Sequence, residues 1–295
     1  MYRIKPILEK TNLKPVRYEK YKSIYKIDTK EGKFVIKKAN NNPLMEYLKT
    51  RNFEYFPKVI NQDEEYEIME YIEEANIPKD QKISDLIDIV SLLHYKTTHF
   101  KAIDKDEYKE IYEDINNNVE YLYSYYNDLI SLIEQKEFMS PAEYVLARNI
   151  SKIYQVLDFV KSEVNVWYEE VKLDEKRRVV VLHNNLDLSH FLRNSESYLI
   201  SFEKSKIGSP IFDLYKLYKR HGNEFEFDYL FKRYEEKYPL LSHEKRLLFI
   251  LISMPDEIKI EKNVYSSSVN ISEMIDLIYK TEKIISPYYS KEWKN

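Results

Sequence analysis

The sequence contains no cysteine, which removes disulfides, thiolate nucleophiles and cysteine-held zinc from consideration. Glycine is almost as scarce. Only Gly32, Gly208 and Gly222 occur among 295 residues, and no two lie close together. A loop that cradles phosphate uses glycine to let backbone N–H groups approach the ligand, so this count weighs heavily against an ordinary nucleotide phosphate loop. The six histidines show no HExxH or paired spacing, which leaves zinc hydrolysis without its ligands. Neither a GxSxG elbow nor a GxGxxG fingerprint is present. The longest apolar stretch, LLFILISM at 247–254, is too short to span a bilayer. The opening MYRIKPILEK carries charge throughout and does not read as a secretory signal. The expectation is a soluble protein of intracellular synthesis with no transmembrane segment.

Charge and aromatics fill out the picture. The 46 basic and 50 acidic side chains nearly cancel, and a balanced, interspersed charge argues against nucleic acid as a partner, because that needs a concentrated basic face. Hydrophobic residues make up 43% and charged residues 33%, the composition of a globular chain rather than a disordered one. Tyrosine is abundant at 28 residues, so rings with a polar tip are expected to build much of the core boundary.

Along the chain, 16–27 and 33–38 read as two strands joined by a turn containing Asp28 and Gly32. PLMEYLKTRNF reads as a short helix with Pro43 in its first turn. FPKVINQ and YEIMEYI add two more strands, which closes a β-rich lobe over 1–72. From 73 to 295 the pattern turns helical. Ile83, Leu86, Ile87, Val90, Leu93 and His94 recur at helical spacing, and a long helix is predicted from Tyr108 to Glu137. Ser140, Pro141 and Glu143 then form an N-cap, an N1 proline and a capping-box acid. The strands RVVVLH and SYLISFE interrupt the helices, and further helices are predicted over 211–220, 225–237, 243–254 and 272–285.

The most informative stretch lies between those strands: VVVLHNNLDLSHFL, at 179–192. A strand ending in histidine and followed by H-x-D-x-x-x-x-N would indicate phosphoryl transfer, with an aspartate base and a metal-binding asparagine. Here the aspartate's place holds Asn185 and the asparagine's holds His190. Together with FVIKK, LLHYKTTHF and YLISFEKSKIGSPIFDL, the loop resembles the aminoglycoside phosphotransferase and choline kinase superfamily. The resemblance implies an α+β, bilobal protein-kinase-like fold. It also makes Lys37 the lysine that pairs with nucleotide phosphates, Glu46 its acidic partner on the next helix, and His183 the first residue of the catalytic loop.

The departures from that pattern are concentrated in the chemistry. Asn185 cannot take a proton from an acceptor hydroxyl. His190 is a poor ligand type for magnesium, which seeks hard oxygen donors. Ser201 stands where the metal-binding aspartate would be, and YEKYKSIY replaces the glycine loop, with Tyr18 and Tyr21 expected to fill nucleotide space. Within the superfamily, HFL with YLISFEKSKIGSPIFDL is most similar to a divergent branch of the CotS-related spore coat proteins. That implies a pseudokinase: a structural or interaction component of the bacterial spore coat, made in the mother-cell cytoplasm, with coat or scaffold proteins as partners and no cofactor.

Two other readings remain open on the residues. In one, the chain is an active atypical small-molecule or protein kinase using ATP and magnesium. Glu203, two residues along the same strand from Ser201 and so on the same face, would supply the metal ligand, and Asp187 the base. In the other, Lys37 and Glu46 keep a nucleotide site without catalysis. Against these stand plainer roles: a solvated Lys37, His183 bonding backbone groups at the strand end, a packed His190, Asp187 holding an Asx-type turn, and Asp213 capping the helix after GSP or bracing the loop.

Overall fold

The computed structural model describes residues 14–21, 24–104, 106–260 and 263–292. The chain divides into two compact units. One comprises the chain up to Thr98 together with Val180–Gly208 and Glu236–Tyr238. The other comprises His99–Val179, Ser209–Glu235 and the chain from Pro239. The division anticipated from sequence, at residue 72, follows the change from strand to helix. Contacts divide the chain differently: the first long helix is bonded to Arg51 and Asn52, and the stretch after Val180 to Lys37, Asn42 and Tyr55.

In the first unit the strands β1 (Pro15–Tyr21), β2 (Ile24–Thr29), β3 (Lys33–Lys38), β4 (Val59–Gln62) and β5 (Tyr66–Glu70) form a sheet of order β1-β2-β3-β5-β4. The stretch 16–27, expected as one strand, is two antiparallel strands with Tyr21 opposite Ile24. No glycine, proline or asparagine marks a reversal there, so the sequence carries no turn signal; Lys22 and Ser23 themselves lie outside the described residues. Opposed residues share a face of a sheet. The register Tyr25↔Ile36, Ile27↔Phe34 and Ile36↔Ile68 therefore collects Ile27, Ile36 and Ile68 into one buried cluster, flanked by Tyr25, Phe34 and Tyr66. The other face carries Val35 opposite Met69 and Lys37 opposite Glu67.

Helix α1 (Leu44–Thr50) follows β3, and α2 (Lys79–Thr97) follows β5. On α2 the buried positions Ile83, Leu86, Ile87, Val90, Leu93, His94 and Thr97 recur every three or four residues. Thr97 lies at the end of that face. Its hydroxyl donates to the Leu93 carbonyl at 2.8 Å and accepts the Val181 N–H at 3.0 Å. Val181 belongs to β7 (Lys176–Leu182), whose last residues pair with β10 (Lys206–Gly208). Between them lie a 3-10 turn at Leu188–His190 and the hairpin of β8 (Phe191–Arg193) with β9 (Ser197–Leu199). Arg193 of β8 pairs with Asp85 of α2 at 3.1 Å.

The second unit is mainly helical. It contains α3 (Glu107–Glu134), α4 (Pro141–Val171), α5 (Ile211–His221), α6 (Phe227–Lys237), α7 (Ser242–Ser253) and α8 (Val264–Glu292). On α4 the buried residues are Leu146, Ile153, Leu157, Val160, Val164, Trp167 and Val171, one stripe of a 3.6-residue helix. Helix α3 presents Ile115, Val119, Leu122 and Tyr126 in the same way, and the two helices pack together. The predicted start of α4 is realised in full: Ser140 Oγ accepts the Glu143 N–H at 3.4 Å, and Glu143 Oε2 accepts the Ser140 N–H at 2.7 Å. A short strand, β6 (His99–Ala102), pairs with Lys176–Val179 of β7 and was not expected. Helix α8 is much longer than the predicted 272–285. Its serine-rich start is helical: Asn263 Oδ1 accepts the Ser266 N–H at 3.2 Å, and Ser268 returns its hydroxyl to the Val264 carbonyl at 2.8 Å. Among the described residues no helix is long and apolar enough to cross a membrane.

Candidate functional site

The residues singled out by sequence, Asp213 apart, all fall in the first unit. Lys37 projects from the face of β3 opposite the Ile27, Ile36 and Ile68 cluster. Its ammonium lies 3.0 Å from Glu67 Oε1 and 2.8 Å from Glu203 Oε1. The side chain of Glu67 is only 5% exposed and that of Lys37 17%, whereas that of Glu203 is 47% exposed. The expected partner, Glu46, is instead bonded to Lys49 of its own helix at 2.7 Å. Glu67 wins because the β3–β5 register places it directly across the strand from Lys37. Burial alone would lower the Lys37 pKa, but the Glu203 hydrogen bond and the Glu67 and Glu203 charges outweigh it, and the ammonium is held above its ordinary value. Burial likewise works to raise Glu203, and the lysine overrides it and holds the carboxyl below the ordinary range.

Glu203 reaches the lysine by a route the sequence did not suggest. SYLISFE is not one strand. It leaves β9 after Leu199, and Ser201 adopts the left-handed conformation (φ 69°, ψ 48°), which starts a 3-10 turn over Phe202–Lys204. The expectation that Glu203 shares a strand face with Ser201 is therefore corrected, since a residue in left-handed conformation ends the two-residue alternation. Asn42 holds this turn in place. Its Nδ2 donates to the Phe202 carbonyl at 3.3 Å, to the Ser205 carbonyl at 3.1 Å and to Ser205 Oγ at 2.8 Å, while its Oδ1 accepts the Leu44 N–H at 3.0 Å. Neither Glu67 nor Asn42 was picked out by sequence reasoning. The available signal was the Asn-Asn-Asn-Pro run at 40–43, since asparagine before a helix start is a capping residue.

The loop after β7 is held by its own side chains. His183 is fully buried; its Nε2–H donates to the Ile200 carbonyl at 2.8 Å, and Phe202 meets the ring edge-on at 4.7 Å. His190 donates Nδ1–H to the Asn185 carbonyl at 2.7 Å, closing the loop on itself. Asp187 Oδ1 accepts the Ser189 N–H at 2.8 Å, an Asx-type turn that starts the 3-10 segment. Asp213 is buried in the first turn of α5, where a carboxylate meets the positive end of the helix.

A cavity of about 410 Å³ opens beside Lys37. Asn40, Gln62 and Ser201 give it polar walls, and Met45, Phe56 and Met69 give it apolar ones. Tyr18 and Tyr21, expected to fill nucleotide space, are 45% and 65% exposed and do not line it. A magnesium polyphosphate is a poor match to the donors present. The lysine is shared by two carboxylates, leaving the trio with net negative charge. Ser201 offers only a neutral hydroxyl, and one ring nitrogen of His190 is engaged with backbone. Among the described residues no group of three or more His, Asp or Glu side chains is placed to hold a metal.

The geometry and topology together define a kinase-like α+β fold of the aminoglycoside phosphotransferase and choline kinase type. Similar solved structures include an aminoglycoside phosphotransferase from Alicyclobacillus acidocaldarius, with a TM-score of 0.67 and 10% identity over 94% of this chain and 92% of that one. An AMP-bound spectinomycin phosphotransferase gives 0.55 and 12% identity over 94% and 97%. The choline kinase of Streptococcus pneumoniae gives 0.51 and 16% identity over 98% and 100%. No protein-family model matches the chain, and no curated protein matches it.

Proposed function

We propose that the chain is a catalytically degenerate kinase-like protein that acts as a structural or interaction component, with no nucleotide or metal cofactor. The observation that carries this reading is the Lys37 ammonium shared between Glu67 and Glu203. A phosphate would have to displace one carboxylate and remain beside the other, in a loop that offers Asn185 and Ser201 in place of charged ligands. Asp187, the candidate displaced base, already accepts a backbone N–H. The proposed setting is the bacterial spore coat, with synthesis in the mother-cell cytoplasm and other coat or scaffold proteins as partners. This part rests on the similarity of HFL and YLISFEKSKIGSPIFDL to CotS-related proteins.

The cavity beside Lys37 favours a second reading, a nucleotide-binding regulator without catalysis. Thermal melts with ATP, with and without magnesium or manganese, separate the two. Ligand at a hundred times its dissociation constant adds about 2.7 kcal/mol, so binding would be plain. The expected result is no shift. A magnesium-dependent shift that disappears in Lys37→Ala would establish the regulator instead. A triple variant, Asn185→Asp, His190→Asn and Ser201→Asp, is expected to fold and show no ATP turnover above background. Magnesium-dependent hydrolysis by that variant would make the chain a recently silenced kinase.

A further inference from the structure

Strand β1 (Pro15–Tyr21) closes one side of the five-stranded sheet, and among the described residues no further strand pairs with its outer edge. All seven of its residues are exposed, including Val16, Tyr18 and Tyr21 at 71%, 45% and 65%. Tyr18 lies opposite Ile27 and so continues the face of the buried isoleucine cluster to the sheet margin. Unpaired backbone groups beside exposed apolar side chains form a template for another strand.

Register decides which strand fits. Tyr21 faces Ile24 across a connection of only two residues, and such a closing pair exchanges both backbone hydrogen bonds. Counting back along the unbroken register, Arg17 and Glu19 also point N–H and C=O towards β2, while Tyr18 and Lys20 point theirs outward. Two antiparallel copies of β1 can oppose only residues of the same kind, so their two-fold axis passes through a residue and not between two. Placed on Tyr18, the axis sets each Arg17 against Glu19 of the second copy, Tyr18 against its own counterpart and Val16 against Lys20. Placed on Arg17 or on Glu19, it sets like charges face to face, which is destabilising. One register is therefore self-complementary.

An edge guarded by charge repels its own copy, and Arg17 with Glu19 does the opposite. Within one chain the two already meet at 2.5 Å, but with side chains 70% and 53% exposed, where an ion pair contributes little. A second copy gives each of them a second partner at a non-hydrogen-bonded position, where opposed Cα atoms come within about 4.5 Å.

We propose that β1 is a homodimer interface, pairing antiparallel with β1 of a second copy about a two-fold axis at Tyr18. The interface is separate from the Lys37 cavity, whose walls include no β1 residue, so dimerisation and nucleotide binding are measured independently. The register shift between Pro15 and Arg17 ends the regular edge, and so short a pairing makes a weak, transient dimer.

The test is sedimentation equilibrium of the full chain. From about 5 µM to about 500 µM it is expected to show a monomer–dimer equilibrium with a dissociation constant on the order of 100 µM. Arg17→Glu and Glu19→Arg, both at exposed positions, are each expected to weaken self-association about tenfold or more. Mixing these two variants sets a strand with two acids against a strand with two bases, and the mixture is expected to dimerise at least as well as the parent. The double variant Arg17→Glu/Glu19→Arg is expected to regain the parent's self-association. A chain that stays monomeric throughout the range overturns the proposal and leaves the edge to solvent or to another protein's strand. A dimer indifferent to both charge reversals, or a mixture that remains monomeric, overturns it too.

Discussion

Replacing Lys37 by methionine removes the counter-charge from Glu67 while keeping most of the aliphatic stem. At 3.0 Å and an effective dielectric near 20, the Lys37–Glu67 attraction is about 5 kcal/mol gross, much of it offset by the cost of taking both groups out of water. Glu203 adds less, because its side chain is 47% exposed and water screens it. Lys37→Met leaves Glu67 buried without its counter-charge and is expected to destabilise by about 2–3 kcal/mol at pH 7. Glu67→Gln in the Lys37→Met background should recover more than half of the loss, since no uncompensated charge then remains. Urea unfolding of the two single variants and the double variant reads all of this. A Lys37→Met variant within about 0.5 kcal/mol of the parent at pH 7 would refute the reasoning, as would a double variant that recovers none of the loss.

Three further outcomes follow from the same region. Because the folded Lys37 pKa is raised above 10.5, its stabilisation is complete below that pH and is lost as pH rises through the higher folded value. Because that of Glu203 is lowered from 4.5, its stabilisation is present above 4.5 and is lost as pH falls through the lower folded value; urea melts across pH should show a smaller loss in both windows for Lys37→Met/Glu203→Gln than for the parent. Ser201 sits at φ 69°, so Ser201→Gly should stabilise by about 0.5–1 kcal/mol while Ser201→Val costs about 1–2 kcal/mol, read by thermal melts. Asn42→Ala removes the bonds to Phe202, Ser205 and Leu44 and should cost about 2 kcal/mol, with faster amide exchange at Leu44.

Much of this chain is legible without coordinates, and the legible parts share a cause. Helices α2, α3 and α4 announce themselves because burial of one face imposes a 3.6-residue period on neighbouring residues. The Ser140–Glu143 cap is a contact three residues long. The loop after β7 is recognisable because His183, Asn185, Asp187 and His190 lie within eight residues, and the bonds from Ser189 to Asp187 and from His190 to Asn185 are short in sequence.

What needed the tertiary structure was the partner of Lys37. The local reading offered Glu46, nine residues away, and the fold chose Glu67 and Glu203. That choice depends on β3 pairing with β5 rather than with its chain neighbour β4, and on a left-handed serine that swings Glu203 out of strand alternation. Neither feature leaves a periodic trace, because strand register and a single backbone reversal are settled by contacts between distant segments. Sequence alone therefore determined the amphipathic helices and which loop departs from the phosphotransfer pattern. Tertiary structure decided which charges meet there, since electrostatic partners are set by distance in space and not by distance along the chain.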